Sequence, residues 1–235
     1  MRLTSNFLIA GALGLVALQA SAIPILGSTA GVWSLASPAV SPVVVSGLGT
    51  STITLGAATS GSTQSSLTFT GGSFFTSTET AFKIGSLSFT NGATTAGTSP
   101  DTTSLALTTS FRFPSSPDVA TNFQLNLLNT PNTGTDAENA DVVTLFQPTN
   151  SSFTLSGDTY NVQLTGFANP TAGGSLGTTG LQFAVLEGQT ASVDVYAMVT
   201  QATAVPEPSA YALMLGGLGL IGFTARRRSQ ARSQR

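Results

Sequence analysis

Few side chains in this chain of 235 residues can do acid–base or nucleophilic chemistry. Histidine and cysteine are both absent, which removes the usual general base, the thiolate nucleophile and the commonest zinc ligands. Gly173-Gly174-Ser175-Leu176-Gly177 has the letters of a nucleophile elbow, but a serine triad needs a histidine. The stretch reads as a Gly-rich surface loop. A Ser–Lys dyad would have to use Lys83, which sits inside an alternating strand pattern and reads as structural. Glycoside hydrolysis needs two facing carboxylates. Glu79 and Glu187 are the only glutamates on or beside expected strands, and nothing in their spacing brings them together. The chain reads as a protein that is not an enzyme.

Two constellations suit binding better than catalysis. Asp136, Glu138 and Asp141, with Asn132 and Asn139 close by, lie on a polar loop running from Pro131 into a strand. Carboxylate and amide oxygens on one loop are the hard ligands that Ca²⁺ takes, although the spacing is not that of an EF-hand. The plain alternative is a solvated acidic loop, and no other cofactor is expected. Trp33, the only tryptophan, and Tyr160 or Tyr196 offer an aromatic platform of the kind lectin-like sandwiches turn to sugars. The favoured reading of Trp33 is nevertheless a core anchor for the first strand.

These residues must be held by β structure. Leu105, Leu107, Phe111 and Phe113 keep one parity, as do Phe123, Leu125 and Leu127, Tyr160, Val162 and Leu164, and Val193, Val195 and Val199. Period two with aromatic and β-branched residues marks half-buried antiparallel strands. Further strands are expected at 53–55, 67–69, 81–89, 142–146, 153–155 and 181–186. Polar loops are expected at 91–102, 130–140 and 168–180. No 3.6-period run of useful length interrupts residues 23–205. The expected fold is all-β, a single antiparallel sandwich of jelly-roll type. Its core should include Phe69, Phe82, Leu87, Phe111, Phe113, Phe123 and Phe183.

Between 23 and 205 only Lys83 and Arg112 face nine acidic residues, a net charge of −7. A domain this acidic lacks the basic footprint that phosphate backbones require, so no nucleic acid partner is expected. With no cysteine there is no disulfide, and stability must come from β packing.

The ends read as addresses. Arg2, an apolar run from Phe7 to Leu18 and Ala20-Ser21-Ala22 fit a secretory signal peptide over 1–22, cleaved after Ala22. Val205-Pro206-Glu207-Pro208 leads into an apolar segment and then Arg226-Arg227-Arg228. The segment over about 210–225 is expected to be a short transmembrane helix, with the arginines held on the cytoplasmic side. Gly217-Leu218-Gly219-Leu220-Ile221-Gly222 inside it matches a dinucleotide fingerprint by letters only, since no strand precedes it. The order of motif, helix and arginines over 205–235 resembles the PEP-CTERM sorting signal of bacterial envelope proteins. That resemblance implies export by the secretion machinery and recognition by an exosortase-type membrane processing enzyme. Location would then be the inner membrane transiently, and the cell envelope or extracellular space afterwards.

A second resemblance covers the domain at 23–204. Gly31-Val32-Trp33, Ile53-Thr54-Leu55-Gly56, Leu67-Thr68-Phe69 and the run from Phe82 to Gly92 occur in order, followed by Ala140-Asp141, Tyr160, Gly166-Phe167 and Glu187. The pattern resembles the choice-of-anchor K domain, an extracellular all-β module. Leu55 stands where that family would carry an aromatic residue. The resemblance implies location and architecture but no activity. The functional expectation is a non-enzymatic structural or adhesive protein of the envelope or matrix, associated with exopolysaccharide or biofilm. The alternative is a carbohydrate-binding module, with or without calcium.

Overall fold

A computed structural model of the protein describes residues 22–131, 133–146, 151–155, 157–202, 214–223 and 226. The chain divides into two compact units, Met1–Gln201 and Ala202–Arg235.

The first unit is antiparallel β throughout its described elements. One sheet contains β1 (Pro24–Ser37), β5 (Ser73–Ser77), β7 (Thr102–Phe113), β8 (Val119–Leu128), β9 (Asp141–Leu145), β12 (Gly174–Leu176) and β13 (Gln182–Val185), in the order β12-β13-β9-β8-β7-β1-β5. The other contains β2 (Val45–Ser46), β3 (Thr52–Leu55), β4 (Ser65–Gly71), β6 (Ala81–Thr90), β10 (Ser151–Leu155), β11 (Asp158–Ala168) and β14 (Thr190–Gln201), in the order β10-β11-β14-β6-β4-β3-β2. Alternation does the folding. In β14, Ala191, Val193, Val195, Ala197 and Val199 are buried while the residues between them face outward. In β7, Leu105, Leu107 and Phe111 do the same. The inward faces of both sheets meet in one apolar cluster that includes Trp33, Phe69, Phe123, Val162 and Phe183.

Phe113 departs from the expected core. It is 55% exposed although Phe111 is 4% exposed. The pairing of β1 with β7 slips by one residue between Leu26 and Gly27, so Gly27 faces Phe111 and Leu26 faces Phe113. A one-residue slip turns a side chain to the opposite face. Phe113 therefore joins Leu26 and Phe75, which are also exposed, on the outer surface.

Three strands, β2, β5 and β12, lie where the sequence pattern predicts none. The stretch 168–180 reads as loop, yet Gly174–Leu176 pairs with β13 as an edge strand. The elbow-like letters of this Gly-rich run therefore have no elbow geometry, since Ser175 simply pairs opposite Ala184. Most of β1 also escapes a periodicity search, because its inward positions include Gly27, Thr29 and Gly31. The glycines make room for rings. A Cβ on Gly27 would lie 2.6 Å from Phe74 Cζ, and one on Gly31 would lie 2.7 Å from Phe69 Cδ1.

In the second unit, residues 214–223 form a helix whose apolar side chains Met214, Leu215, Leu218, Leu220, Ile221 and Phe223 are exposed. Ten residues rise about 15 Å, against a hydrocarbon core of about 30 Å. Among the described residues no helix is long and apolar enough to cross a membrane. The expected span over about 210–225 is thus corrected to a shorter helix, while residues 210–213, 224 and 225 lie outside the described residues. Hydropathy alone suggests the longer span. Helix continuity also depends on propensity, and Gly216, Gly217, Gly219 and Gly222 each weaken a helix by about 1 kcal/mol relative to alanine.

Candidate functional site

The acidic loop is built differently from a metal cage. Thr135 and Glu138 form a reciprocal cap on a single turn. The Thr135 backbone N–H and hydroxyl both donate to Glu138 Oε2 at 2.9 Å, and the Glu138 N–H donates to Thr135 Oγ1 at 3.4 Å. This is the capping box, and Thr-x-x-Glu is the sequence signal by which it can be found. The bond from the Thr135 backbone, with that from its hydroxyl, holds the Glu138 carboxyl below the usual glutamate range. Asn139 closes the loop by accepting from the Gly134 N–H and donating to the Gly134 carbonyl. Asn132 lies outside the described residues.

Asp141 starts β9 and points inward, 4% exposed. Its Oδ1 accepts from the Thr130 N–H at 2.8 Å and the Thr130 hydroxyl at 3.2 Å. Burial pushes its carboxyl up to about 6, against the pull of those two bonds and with a further push from the charge of Glu187. Burial also raises Glu187, with Asp136 adding to the effect. Asp136 is exposed. Among the described residues no three carboxylates are gathered to hold a metal ion. Glu138 and Asp141 each spend an oxygen on their own loop, and Asp136 stands apart from the cap.

Beside this loop a cleft of about 260 Å³ opens between residues 94–101 and 127–131. Asn129 crosses it, donating to Thr94 Oγ1 at 2.8 Å and Ser99 Oγ at 2.9 Å. The hydroxyls and amide that converge here are bonded to one another, so the cleft is braced from within. Its wall also carries Asp101 and Thr130.

The other residues considered for chemistry are far apart or occupied. Glu79 caps the end of β14, where its Oε1 accepts from the Gln201 N–H at 2.8 Å. Glu187 precedes the opposite end of that strand, which begins at Thr190. Twelve residues of strand separate these ends by about 35 Å, far beyond the about 5–9.5 Å of glycosidase carboxylate pairs. Lys83 lies 2.6 Å from Asp194 Oδ1 as an ion pair. Trp33 is fully buried, its indole N–H donating to the Ser51 carbonyl at 3.0 Å. Tyr160 is equally buried and packs on Phe153. Of the three aromatics considered for a platform, Tyr196 alone reaches the surface, half-buried on the outer face of β14.

Of the terminal motifs, Ala22 and Arg226 fall among the described residues. Ala20, Val205, Pro206, Glu207, Pro208, Arg227 and Arg228 lie outside them.

Residues 204–228 match the PEP-CTERM protein-sorting motif. The motif implies an exported protein that transits a membrane and is recognised by exosortase, a membrane processing enzyme. No curated protein matches the chain.

Proposed function

We propose that the protein is a non-enzymatic structural or adhesive component of the cell envelope or extracellular matrix, sorted by exosortase and retained there by hydroxyl-rich polymer. The observation that carries the reading is the outer face of the β2-to-β14 part of the second sheet, which is paved with hydroxyls bonded across strands. Ser46 Oγ lies 2.6 Å from Thr54 Oγ1, Thr52 Oγ1 lies 2.9 Å from Thr68 Oγ1, and Thr90 Oγ1 lies 2.9 Å from Thr190 Oγ1. Such a surface is wet without being charged. It offers many hydrogen bonds, each worth about 0.5–1.5 kcal/mol net, and many weak contacts hold a polymer by avidity without one deep pocket.

In this reading the first unit is a jelly-roll sandwich of choice-of-anchor K type. The run Phe82 to Thr90 that carries the resemblance forms β6, a central strand of its sheet. The C-terminal helix holds the chain at the membrane until processing near Pro206–Pro208. Co-sedimentation of the full-length protein with exopolysaccharide from the producing cells, and biofilm mass after gene deletion, test the proposal. Retention in the pellet with altered biofilm is expected. A protein that stays in the supernatant, with biofilm unchanged, would overturn it.

A further inference from the structure

The outer face of the second sheet is interrupted at one place, and the interruption is built from both sides of β14. On β11 the register slips between Leu164 and Gly166, leaving Thr165 extra. On β6 it slips opposite Val195 and Tyr196, leaving Ile84 extra. Tyr196 consequently lies between Gly166 on one neighbour and Lys83 on the other. Bulges re-aim side chains and bend the sheet. Here they open a shallow depression of about 200 Å³ walled by Tyr196, Thr165, Gly166 and Ala168. A second depression of about 230 Å³ begins at Lys83 and continues over Ser86, Thr70 and the facing glycines Gly71 and Gly85. Neither glycine carries a side chain to fill the groove, and both have backbone atoms packed where a Cβ would go.

The polar groups along this groove are fixed before any ligand arrives. Asp194 shares the outward face of β14 with Tyr196, two residues away. Its Oδ1 takes the Lys83 ammonium at 2.6 Å and the Ser86 hydroxyl at 3.4 Å. Its Oδ2 accepts from Asn169 Nδ2 at 3.0 Å. Asn169 adopts a φ of 54°, a left-handed conformation that few residues other than glycine take up. That strain sets its amide on Asp194 and leaves its carbonyl oxygen available. Such conformations persist where the surroundings over-determine them, which is common at binding sites.

We infer that Tyr196, with the Lys83–Asp194–Asn169 cluster beside it, forms a subsite for a pyranose unit of a neutral polysaccharide chain. The phenol ring offers an apolar face with a polar tip, suited to the C–H face of a sugar ring. The Asn169 carbonyl, the remaining Lys83 donors and the Thr165 hydroxyl offer partners for its hydroxyls. The groove is shallow and open at both ends, which fits an internal unit of a chain rather than a small enclosed molecule. Charge selects the class. Lys83 is already neutralised by Asp194, and the net charge of −7 over residues 23–205 repels uronate or sulfated polymers. The inference rests on the reading of this domain as one that holds hydroxyl-rich polymer and supplies its specific contact.

The test uses the full-length protein in detergent. Cellohexaose, laminarihexaose and maltohexaose are titrated by calorimetry beside hexagalacturonate, and co-sedimentation with long neutral glucans is run in parallel. Binding of at least one neutral hexasaccharide is expected, with hexagalacturonate silent. Tyr196→Ala should weaken it at least tenfold and Tyr196→Phe less than threefold. Thr165→Arg, which fills the depression from an exposed position, should match Tyr196→Ala and so covers a folding defect in that variant. Thr68→Ala, elsewhere on the same face, should bind as the wild type does. Binding unchanged in both groove variants, or a preference for hexagalacturonate, overturns the subsite. If no hexasaccharide binds but long glucans still pellet the protein, the subsite falls and the polymer-holding reading stands. If neither binds, both fall.

Discussion

Asp141 allows the electrostatics of the β9 entry to be tested against pH. Its carboxyl is buried beside Glu187, with only the Thr130 N–H and hydroxyl to stabilise the charge, and it rises from 3.8 to about 6. The folded state therefore binds this proton more tightly than the unfolded chain does. Below about pH 4 the group is protonated in both states and its burial costs little. As pH rises from about 4 to 6 the unfolded chain releases the proton first, so stability falls over that window. Above about 6 the cost is fully present. A shift of about two units corresponds to about 3 kcal/mol at about 1.4 kcal/mol per unit. Asp141→Asn keeps the oxygen that accepts from Thr130 and cannot ionise. Its amide nitrogen needs an acceptor, at a cost of about 1 kcal/mol that does not change with pH. The informative quantity is therefore the change in the mutant-minus-wild-type difference between pH 4 and pH 7. It should reach about 2–3 kcal/mol in favour of the mutant. At about 2–4 °C per kcal/mol for a domain of this size, the two melting temperatures should diverge by about 5–10 °C across that range. Glu187 titrates with the same sign, and Glu138 and Asp194 with the opposite one, but all three remain in both proteins and cancel. Urea unfolding at half-unit intervals from pH 4 to 7 reads the effect. Parallel curves, separated by a constant amount, would refute the assignment of a charged, unpaired carboxylate to this position.

Other expectations follow from packing. Phe111→Ala removes a buried ring stacked 4.8 Å from Phe153 and should cost about 3–5 kcal/mol. Phe113→Ala, two residues on and exposed, should cost less than about 1 kcal/mol; equal costs would contradict the slip at Leu26–Gly27. Gly31→Ala places a methyl 2.7 Å from the Phe69 ring and 3.1 Å from Leu105, an overpacking expected to cost about 1–3 kcal/mol and readable in the midpoint of urea unfolding. Because the oxygens of Glu138 and Asp141 are engaged within the loop, exchange of EDTA for millimolar Ca²⁺ should leave the melting temperature within about 1 °C; a rise of several degrees would restore Asp136, Glu138 and Asp141 as metal ligands. Mass spectrometry of the C-terminus of the cellular protein should find it near Pro206–Pro208, and a terminus at Arg235 would leave an anchored, unprocessed protein.

The strands legible in sequence are those whose inward positions carry large apolar residues. β6, β7, β11 and β14 declare themselves by period two because each buries its own side chains. β1 is just as buried, but its contribution is space. Gly27 and Gly31 accept the rings of Phe74 and Phe69, and a strand that receives side chains leaves no apolar period of its own. Phe113 shows the opposite failure. Its parity is right and its face is wrong, because the pairing slip belongs to β1 and β7 together and cannot be read from either strand alone. The C-terminal segment shows a third. Apolar composition is legible there, whereas helix length is not.

The same distinction governs the candidate site. Charge counts and missing residue types eliminate chemistry from sequence reliably, since absence needs no geometry. Positive assignment does need it. Asp136, Glu138 and Asp141 are neighbours in sequence, yet the capping box takes Glu138 and the sheet takes Asp141 inward. Trp33, Tyr160 and Tyr196 are equivalent as letters, and burial separates them. What lifts Tyr196 above an ordinary surface tyrosine is a pair of bulges on strands some 80 residues apart and an asparagine held at a φ of 54°. None of these leaves a mark in composition or periodicity. A bulge adds one residue to one strand, and only the partner's register reveals it. On a face otherwise regular enough to be read from its alternation, the groove lies where the alternation breaks on both sides of one strand.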